Sequence, residues 1–311
     1  MDLRHLRYFI AVAETGQMTR AASELGIQQP PLSQQIRALE AALGTVLFRR
    51  HPKGVALTDA GRILLGEATR IVADVSALEA QMARVAKGLV GTLSVGFTSS
   101  AAAHAFTPAT LREYRGRYPD VEVVLSEHNA AEITEAVASR RLHCGFLRVP
   151  VARPPDVLFE TLLTEPVVVA VPIDHRLARM PAARRPLIAP LDLHDENLIL
   201  VRRPGAPGLY ANLLALCETA GARPRSIAEV ERMMTSLNLV AAGAGVAVVP
   251  ASMQGAHPHA IAYRPFRRDV RLDAPLTLVC HEGELNRSAT MFMALARSVA
   301  QRWKSSVPPR G

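Results

Sequence analysis

The sequence predicts an α+β chain in three parts: a short helical head that ends in a hairpin, one long linker helix, and a larger α/β body of two similar units. Three observations carry that division. Apolar residues recur at helical spacing in short runs before residue 45, an unbroken seven-residue apolar repeat follows from Leu64 to Leu89, and beyond residue 90 strand-like and helix-like segments alternate twice over. A chain of 311 residues, 49% of them hydrophobic, has length for two or three domains and enough apolar surface to fill them.

The head opens with Leu3, Leu6, Phe9, Ile10 and Ala13 on one helical face, and Gly16 ends that helix. A second helix is expected through "MTRAASELG", with Thr19 as N-cap, Ala21, Ala22 and Leu25 buried, and Gly26 closing the turn. Two prolines then begin the stretch "QPPLSQQIRALE". Proline is favoured in the first turn of a helix, where its missing N–H would be unpaired anyway, so Pro30 and Pro31 mark a start. Leu32, Ile36, Leu39 and Leu43 follow at steps of 4, 3 and 4 as the inward face, leaving Gln29, Ser33, Gln34 and Arg37 outward. Glutamine, serine and arginine are side chains that hydrogen-bond base edges and phosphates. A helix, a glycine turn and a second helix with such a face read as a helix-turn-helix, against the plainer reading of a solvated helix face.

In "VLFRRHPKGVALT", Arg49, Arg50, His51 and Lys53 surround a Pro52–Gly54 turn between two short apolar strands. Beside a recognition helix this hairpin reads as a wing touching phosphates; in isolation it would be an ordinary solvated turn. Thr58 and Asp59 can cap the long helix, expected to run to about Lys87. Its stripe of Leu64, Ala68, Ile71, Val75, Leu78, Met82, Val85 and Leu89 steps by 4 and 3 throughout, the pattern of a coiled-coil seam. Dimerisation through Leu64, Ile71, Val75, Leu78, Met82 and Val85 is the expectation, an internally packed helix the alternative.

In the body, "GTLSVGF", "VEVVLSE" and "HCGFLRV" are strands, with helices expected over 101–117 and through "EITEAVASRRL". The pattern repeats with the strands "EPVVVAVPID", "ENLILVR", "RSIAEVE" and "VAVVP" and the helices "GLYANLLALCETAG" and "MMTSLNLVAAGAG"; "LDAPLTLVCH" and a helix through "SATMFMALARSVAQRW" close the chain. Alternation implies parallel sheets, and two units in tandem imply two lobes with a ligand cleft outside the carboxyl ends of the strands.

The net charge of +8 permits a polyanionic partner, but residues 1–90 hold only 11 of the 36 basic residues, so charge does not single out the head. Cys144, Cys217 and Cys280 are odd in number and far apart, with no CxxC, which speaks against a disulfide scaffold or a zinc site and for a reducing cytoplasm. No metal or cofactor is expected. "MDLRHLRYFIAVAE" is no signal peptide and no run reaches the ~20 apolar residues of a spanning helix, so a soluble cytoplasmic protein without a membrane partner is expected. No G-x-S-x-G, HExxH, P-loop or full GxGxxG is present, and His104, His128 and His143 lack a nucleophile motif, so an enzyme is not expected.

In "LRHLRYFIAVAETG", "TRAASELGIQQPPLSQQIRALEAALGTVLFRR", "LTDAG", "PIDHRLA" and "LVAAGAGVAVVPAS" the chain resembles the LysR-type transcriptional regulators over essentially its full length. "QPPLS" and "VPASMQ" look most like the subgroup that governs aromatic and chloroaromatic catabolism. The resemblance implies a winged helix-turn-helix over residues 1–58, a dimerising linker helix over 59–89, and an effector domain over 90–311 similar to a periplasmic binding protein. Lobe I would comprise 90–161 and 267–303, lobe II 162–266, with the chain crossing the hinge near Thr161 and Phe266. It also implies a dimer of dimers, double-stranded DNA and RNA polymerase as partners, an activator, and a small anionic or aromatic inducer between the lobes. Family position assigns DNA contact to Gln29, Ser33 and Arg37, with Gln34 beside them, Pro30 and Pro31 fixing the helix start, and Arg50 and Lys53 on the backbone. Gln28 stands where relatives carry Ser, Thr or Ala, which weakens a cap there. The resemblance assigns effector contact to Ser100, with Ser99 beside it, to the position held by Ala130, with Asn129 before it, and to Arg202, Pro204 and Gly205 at a strand end; Arg148, after the third strand, could supply a charge and Met233 an apolar wall. Ala130 and Ile133 stand where polar residues are common, which puts the usual carboxylate clamp in doubt. Ser99 and Ser100 could instead only cap a helix, and Arg148 could be a surface residue. A solute-binding protein with no DNA role and a thiol redox-sensing regulator are the competing readings; the latter needs two cysteines close together in lobe II, where only Cys217 lies.

Overall fold

A computed structural model of the chain describes residues 1–148, 153–179, 187–201 and 209–306. It divides into two compact units, Met1–Ala86 and Lys87–Gly311. The first unit is α1 (Leu3–Thr15), α2 (Met18–Glu24), α3 (Gln29–Leu43), the hairpin β1 (Phe48–His51) and β2 (Gly54–Leu57), and α4 (Asp59–Ala86). Leu6, Phe9, Val12, Ala21, Ala22, Leu32, Ile36 and Leu39 form its core with Leu47, Phe48 and Ala68.

The hairpin is seated on the α1–α2 turn. Val55 N donates to Gly16 O at 2.8 Å. Gly54 has φ +142°, and a Cβ there would lie 2.2 Å from that same carbonyl, so only glycine lets the wing approach so closely. Glu40, on α3, accepts from Leu47 N at 2.8 Å and Phe48 N at 3.3 Å and so fixes the start of β1.

Several details differ from the sequence reading. The N-cap of α2 is Gln17, without a side-chain bond, and Thr19 is inside the helix. Leu43 is exposed, because it lies in the last turn, beyond the head's core. Thr58 does cap α4, its hydroxyl accepting from Gly61 N at 3.0 Å. The heptad stripe, however, is divided: Leu64 and Ala68 pack into the head's own core, and only Ile71, Leu78, Met82 and Val85 are exposed, with Val75 partly so. Packing of α1 against the first turns of α4 explains this. The helix ends at Ala86, so Leu89 is not part of it.

In the second unit β3 (Gly91–Phe97), β4 (Val121–Glu127) and β5 (Cys144–Leu147) are parallel in the order β4-β3-β5. α5 (Ser99–Ala102), α6 (Phe106–Arg117) and α7 (Ala130–Ala138) connect them. The single helix expected over 101–117 is therefore two, with Phe106 N donating to His104 Nδ1 at 3.1 Å in the break. β6 (Val157–Pro172) starts well before the expected strand. β7 (Asn197–Val201), α8 (Leu209–Thr219), β8 (Ser226–Val230), α9 (Met233–Ala241) and β9 (Val246–Pro250) build the second lobe, where β7 is parallel to both β8 and β9. β10 (Ile261–Pro265), unexpected from the sequence, pairs with β6. β11 (Asp273–His281) and α10 (Arg287–Ser306) complete the first lobe.

β6 joins the lobes. Its residues Val157–Pro166 pair antiparallel with β11, and from Val167 it pairs with β9 and β10. The change of partner falls at Pro166–Val167, past Thr161. On the return, Phe266, Leu272 and Ala274 still belong to the core of the second lobe, and Leu276 is the first to belong to that of the first. The crossing therefore lies beyond Phe266, because the long strands run through the hinge. Among the described residues no helix is long and apolar enough to cross a membrane.

Candidate functional site

The outward face of α3 is built by subtraction. Leu32, Ile36 and Leu39 are at most 2% exposed and anchor the helix, which leaves Gln29, Pro30, Pro31, Gln34 and Arg37 exposed. Gln28 is the N-cap and makes no side-chain cap bond. Leu32 N closes the first turn on Gln28 O at 3.5 Å; Pro30 and Pro31 have no N–H, so of the N–H groups that a helix start leaves without an intrahelical acceptor, the prolines remove two. Ser33 departs from expectation. It is buried, and its hydroxyl accepts from Gln29 Nε2 at 2.7 Å, so it orients the Gln29 amide rather than facing outward.

On the hairpin, the register opposes Arg49 to Ala56 and Arg50 to Val55, with Pro52 and Lys53 forming the turn. Arg49, Arg50, His51 and Lys53 are exposed. Among the described residues, the ion pairs of the head include Arg4 and His5 with Asp2, Arg20 with Glu24, Arg62 with Asp59 and Arg70 with Glu67. None of these takes up Arg37, Arg50 or Lys53, all three exposed.

In the second unit, residues from both lobes converge at the carboxyl ends of the parallel strands, where ligands bind in such sheets. Thr98, after β3, caps α5, accepting from Ala101 N at 3.3 Å. Neither Ser99 nor Ser100 is therefore the cap. Ser100 is 3% exposed, with its hydroxyl 3.4 Å from that of Thr98. Asn129, after β4, caps α7 in a reciprocal box with Glu132 at 2.8 and 2.9 Å, yet its Nδ2 is buried without a partner. Ala130 begins α7, partly exposed. Ile133 is fully buried against the sheet and does not belong to the cleft.

Arg148, after β5, is no surface residue. Its side chain is 11% exposed and pairs with Glu165 of β6 at 2.6 Å, itself 9% exposed. Its Nη2 donates to Ser100 O at 2.5 Å and to Ser252 Oγ at 3.2 Å. Ser252, after β9, donates its N–H and its hydroxyl to the Glu165 carboxylate at 2.7 and 2.9 Å. Ser252 thus ties the Arg148–Glu165 pair to the second lobe, while Arg148 Nε and Nη1 stay buried without a partner. Burial pulls the Arg148 guanidinium below its ordinary range, and the adjacent Glu165 opposes that shift. Burial also lowers His104, with Glu165 raising it and Arg148 lowering it.

From the second lobe, Met233 starts α9 and is buried; the Tyr210 hydroxyl lies 3.8 Å from its sulfur and donates to Val248 O at 3.3 Å. Burial pushes Tyr210 well above the ordinary phenol range. Ser236, on the same helix, has a buried hydroxyl with no partner. Arg232 reaches across the lobes to Glu127 at 3.7 Å. Arg202, Pro204 and Gly205 lie outside the described residues. Glu165, Ser252, Thr98, Tyr210 and Ser236 were missed in the sequence. Only Glu165 carried a signal, as a lone charge opening the apolar run "EPVVVAVP".

Two family profiles match the chain. "Bacterial regulatory helix-turn-helix protein, lysR family" covers residues 3–62, and "LysR substrate binding domain" covers residues 86–301. The HTH-type transcriptional regulator BudR of Raoultella terrigena is 34% identical over 295 residues, spanning 95% of this chain and 100% of BudR. AlsR of Bacillus subtilis (strain 168), another HTH-type transcriptional regulator, is 33% identical over 306 residues, 98% of this chain and 99% of AlsR. Among solved structures, CbnR, a LysR family transcriptional regulator, matches with a TM-score of 0.78 at 30% identity over 96% of this chain and 100% of that one. Full-length CbnR complexed with its target DNA matches at 0.77 and 29%, with the same coverage.

Proposed function

The chain belongs to the LysR family of DNA-binding transcriptional regulators, and from that premise we propose which residues carry each part of the work. α3 enters the major groove. Gln29, Gln34 and Arg37 read base edges, Ser33 holds the Gln29 amide in place, and Pro30 and Pro31 set the start of the helix. Arg50 and Lys53 take phosphates from the wing. The observation that carries this reading is the exposed polar face of α3, Gln29, Gln34 and Arg37, in a head whose hairpin also exposes Arg50 and Lys53.

The exposed part of the α4 stripe, Ile71, Val75, Leu78, Met82 and Val85, pairs two chains, and two such dimers assemble on one promoter. The inducer binds at the carboxyl ends of the strands between Ser99, Ser100, Asn129, Ala130 and Arg148 of one lobe and Met233 of the other. The unpartnered donors there, Arg148 Nε and Nη1, Asn129 Nδ2 and Ser236 Oγ, favour a small anion, and Met233 offers an apolar wall for an aromatic or alkyl part. The protein acts in the cytoplasm as an activator that engages RNA polymerase. Family membership sets aside a solute-binding protein with no DNA role.

DNase footprinting upstream of the protein's own gene tests the reading. Protection in two half-sites about one helical turn or a multiple apart, altered in extent by one member of a panel of small carboxylates, is the expected result. Protection without half-site periodicity, or no carboxylate that alters it, would overturn the proposed dimer or the proposed inducer class respectively.

A further inference from the structure

All three cysteines are buried and unbridged. Cys217 stands apart in the core of the second lobe. Cys144 and Cys280, remote in sequence, are directly opposed in the antiparallel pairing of β5 with β11. Opposed residues on antiparallel strands point to one face, with Cα atoms about 4.5 to 5.5 Å apart, inside the roughly 4.4–6.8 Å window that a disulfide requires. Both side chains belong to one core cluster with Phe292 and Leu295 of α10, so they share a face.

We infer that Cys144 and Cys280 form a dithiol–disulfide couple inside the first lobe, closed by a small hydroperoxide. Cys280 reacts first, because it is 5% exposed near the end of β11 whereas Cys144 is 0% exposed. Its sulfur bonds to one peroxide oxygen and the O–O bond breaks. The departing oxygen takes the thiol proton and leaves as an alcohol, or as water from hydrogen peroxide. The Cys144 sulfur then attacks the resulting sulfenic acid; the S–O bond breaks and the hydroxide leaves as water with the Cys144 proton. Two thiols lose two electrons and one peroxide bond gains them.

Burial raises both thiols above their ordinary range. Thiolate is therefore scarce near neutrality and the couple closes slowly. This is a site for sustained oxidant exposure, not a fast sensor. The strand pair it joins also carries Arg148: Thr277, opposite Leu147, donates its hydroxyl to Arg148 O at 3.0 Å.

The experiment treats the reduced full-length protein with excess hydrogen peroxide under native conditions at several pH values. Samples are quenched, then assayed by thiol titration in denaturant and by peptide mass mapping. Free thiols fall from three to one, the remaining one is Cys217, and a peptide pair linked through Cys144 and Cys280 appears and is reversed by dithiothreitol. The closure rate rises about tenfold per pH unit while the thiols stay mostly protonated. Retention of all three thiols, a link formed only after unfolding, or Cys280 sulfinate without any link would each overturn the inference.

Discussion

Leu78→Ala tests the division of the heptad stripe. Leu78 is 56% exposed on α4. Full burial of a leucine side chain stabilises by roughly 2 kcal/mol, so a partner helix closing over the exposed part recovers about 1 kcal/mol. A symmetric dimer holds two copies, and losing both costs about 2 kcal/mol, which is a dimer roughly 30-fold weaker. Sedimentation equilibrium over a range of concentrations reads that change directly. Leu64→Ala is the matched control. Leu64 packs into the head's own core, so its loss lowers the melting temperature of the head with a smaller effect on self-association. An unchanged association constant for Leu78→Ala, or equal weakening by both substitutions, would refute the assignment of the seam to the exposed half of the helix.

Removing Arg50 and Lys53 together is expected to weaken specific and nonspecific DNA alike, and to flatten the plot of log affinity against log salt by about 0.9 per lost phosphate contact; filter binding from low to moderate salt measures it. Glu165→Gln leaves the Arg148 charge buried and unmatched, at a cost of about 3–5 kcal/mol; urea unfolding should show it, with the further change Arg148→Met recovering much of the loss. Ser100→Ala should reduce inducer affinity several-fold while operator affinity stays the same, measured by titration calorimetry and gel shift on one preparation.

The head was nearly complete in the sequence because its signals are local. Pro30 and Pro31, the 4-3 spacing from Leu32 and the glycines Gly16 and Gly26 each act within a turn or two. Ser33 was misplaced because it lies one residue after Leu32 and three before Ile36, on the border of the buried stripe, where spacing alone does not decide. The heptad announced an apolar seam but not which partner covers each part of it; that depends on α1, which the periodicity of α4 does not contain. Arg148 was found from its position after a strand, but Glu165 and Ser252 join it from β6 and from the segment after β9, contacts that arise only once the sheets are assembled. The facing of Cys144 and Cys280 is of the same kind: it depends on β11 returning beside β5, a long-range pairing that leaves no mark on either segment alone.

A gel shift with wild-type protein and Arg37→Ala, on the DNA just upstream of the protein's own gene, shows whether α3 reads the operator. It is run at physiological salt with excess nonspecific competitor. Wild type is expected to give a discrete, competitor-resistant complex, and Arg37→Ala to lose about 10- to 100-fold in specific affinity with the dimer intact and nonspecific binding little changed. A variant that binds this operator as well as wild type would contradict the assignment of α3 as the helix that reads the sequence.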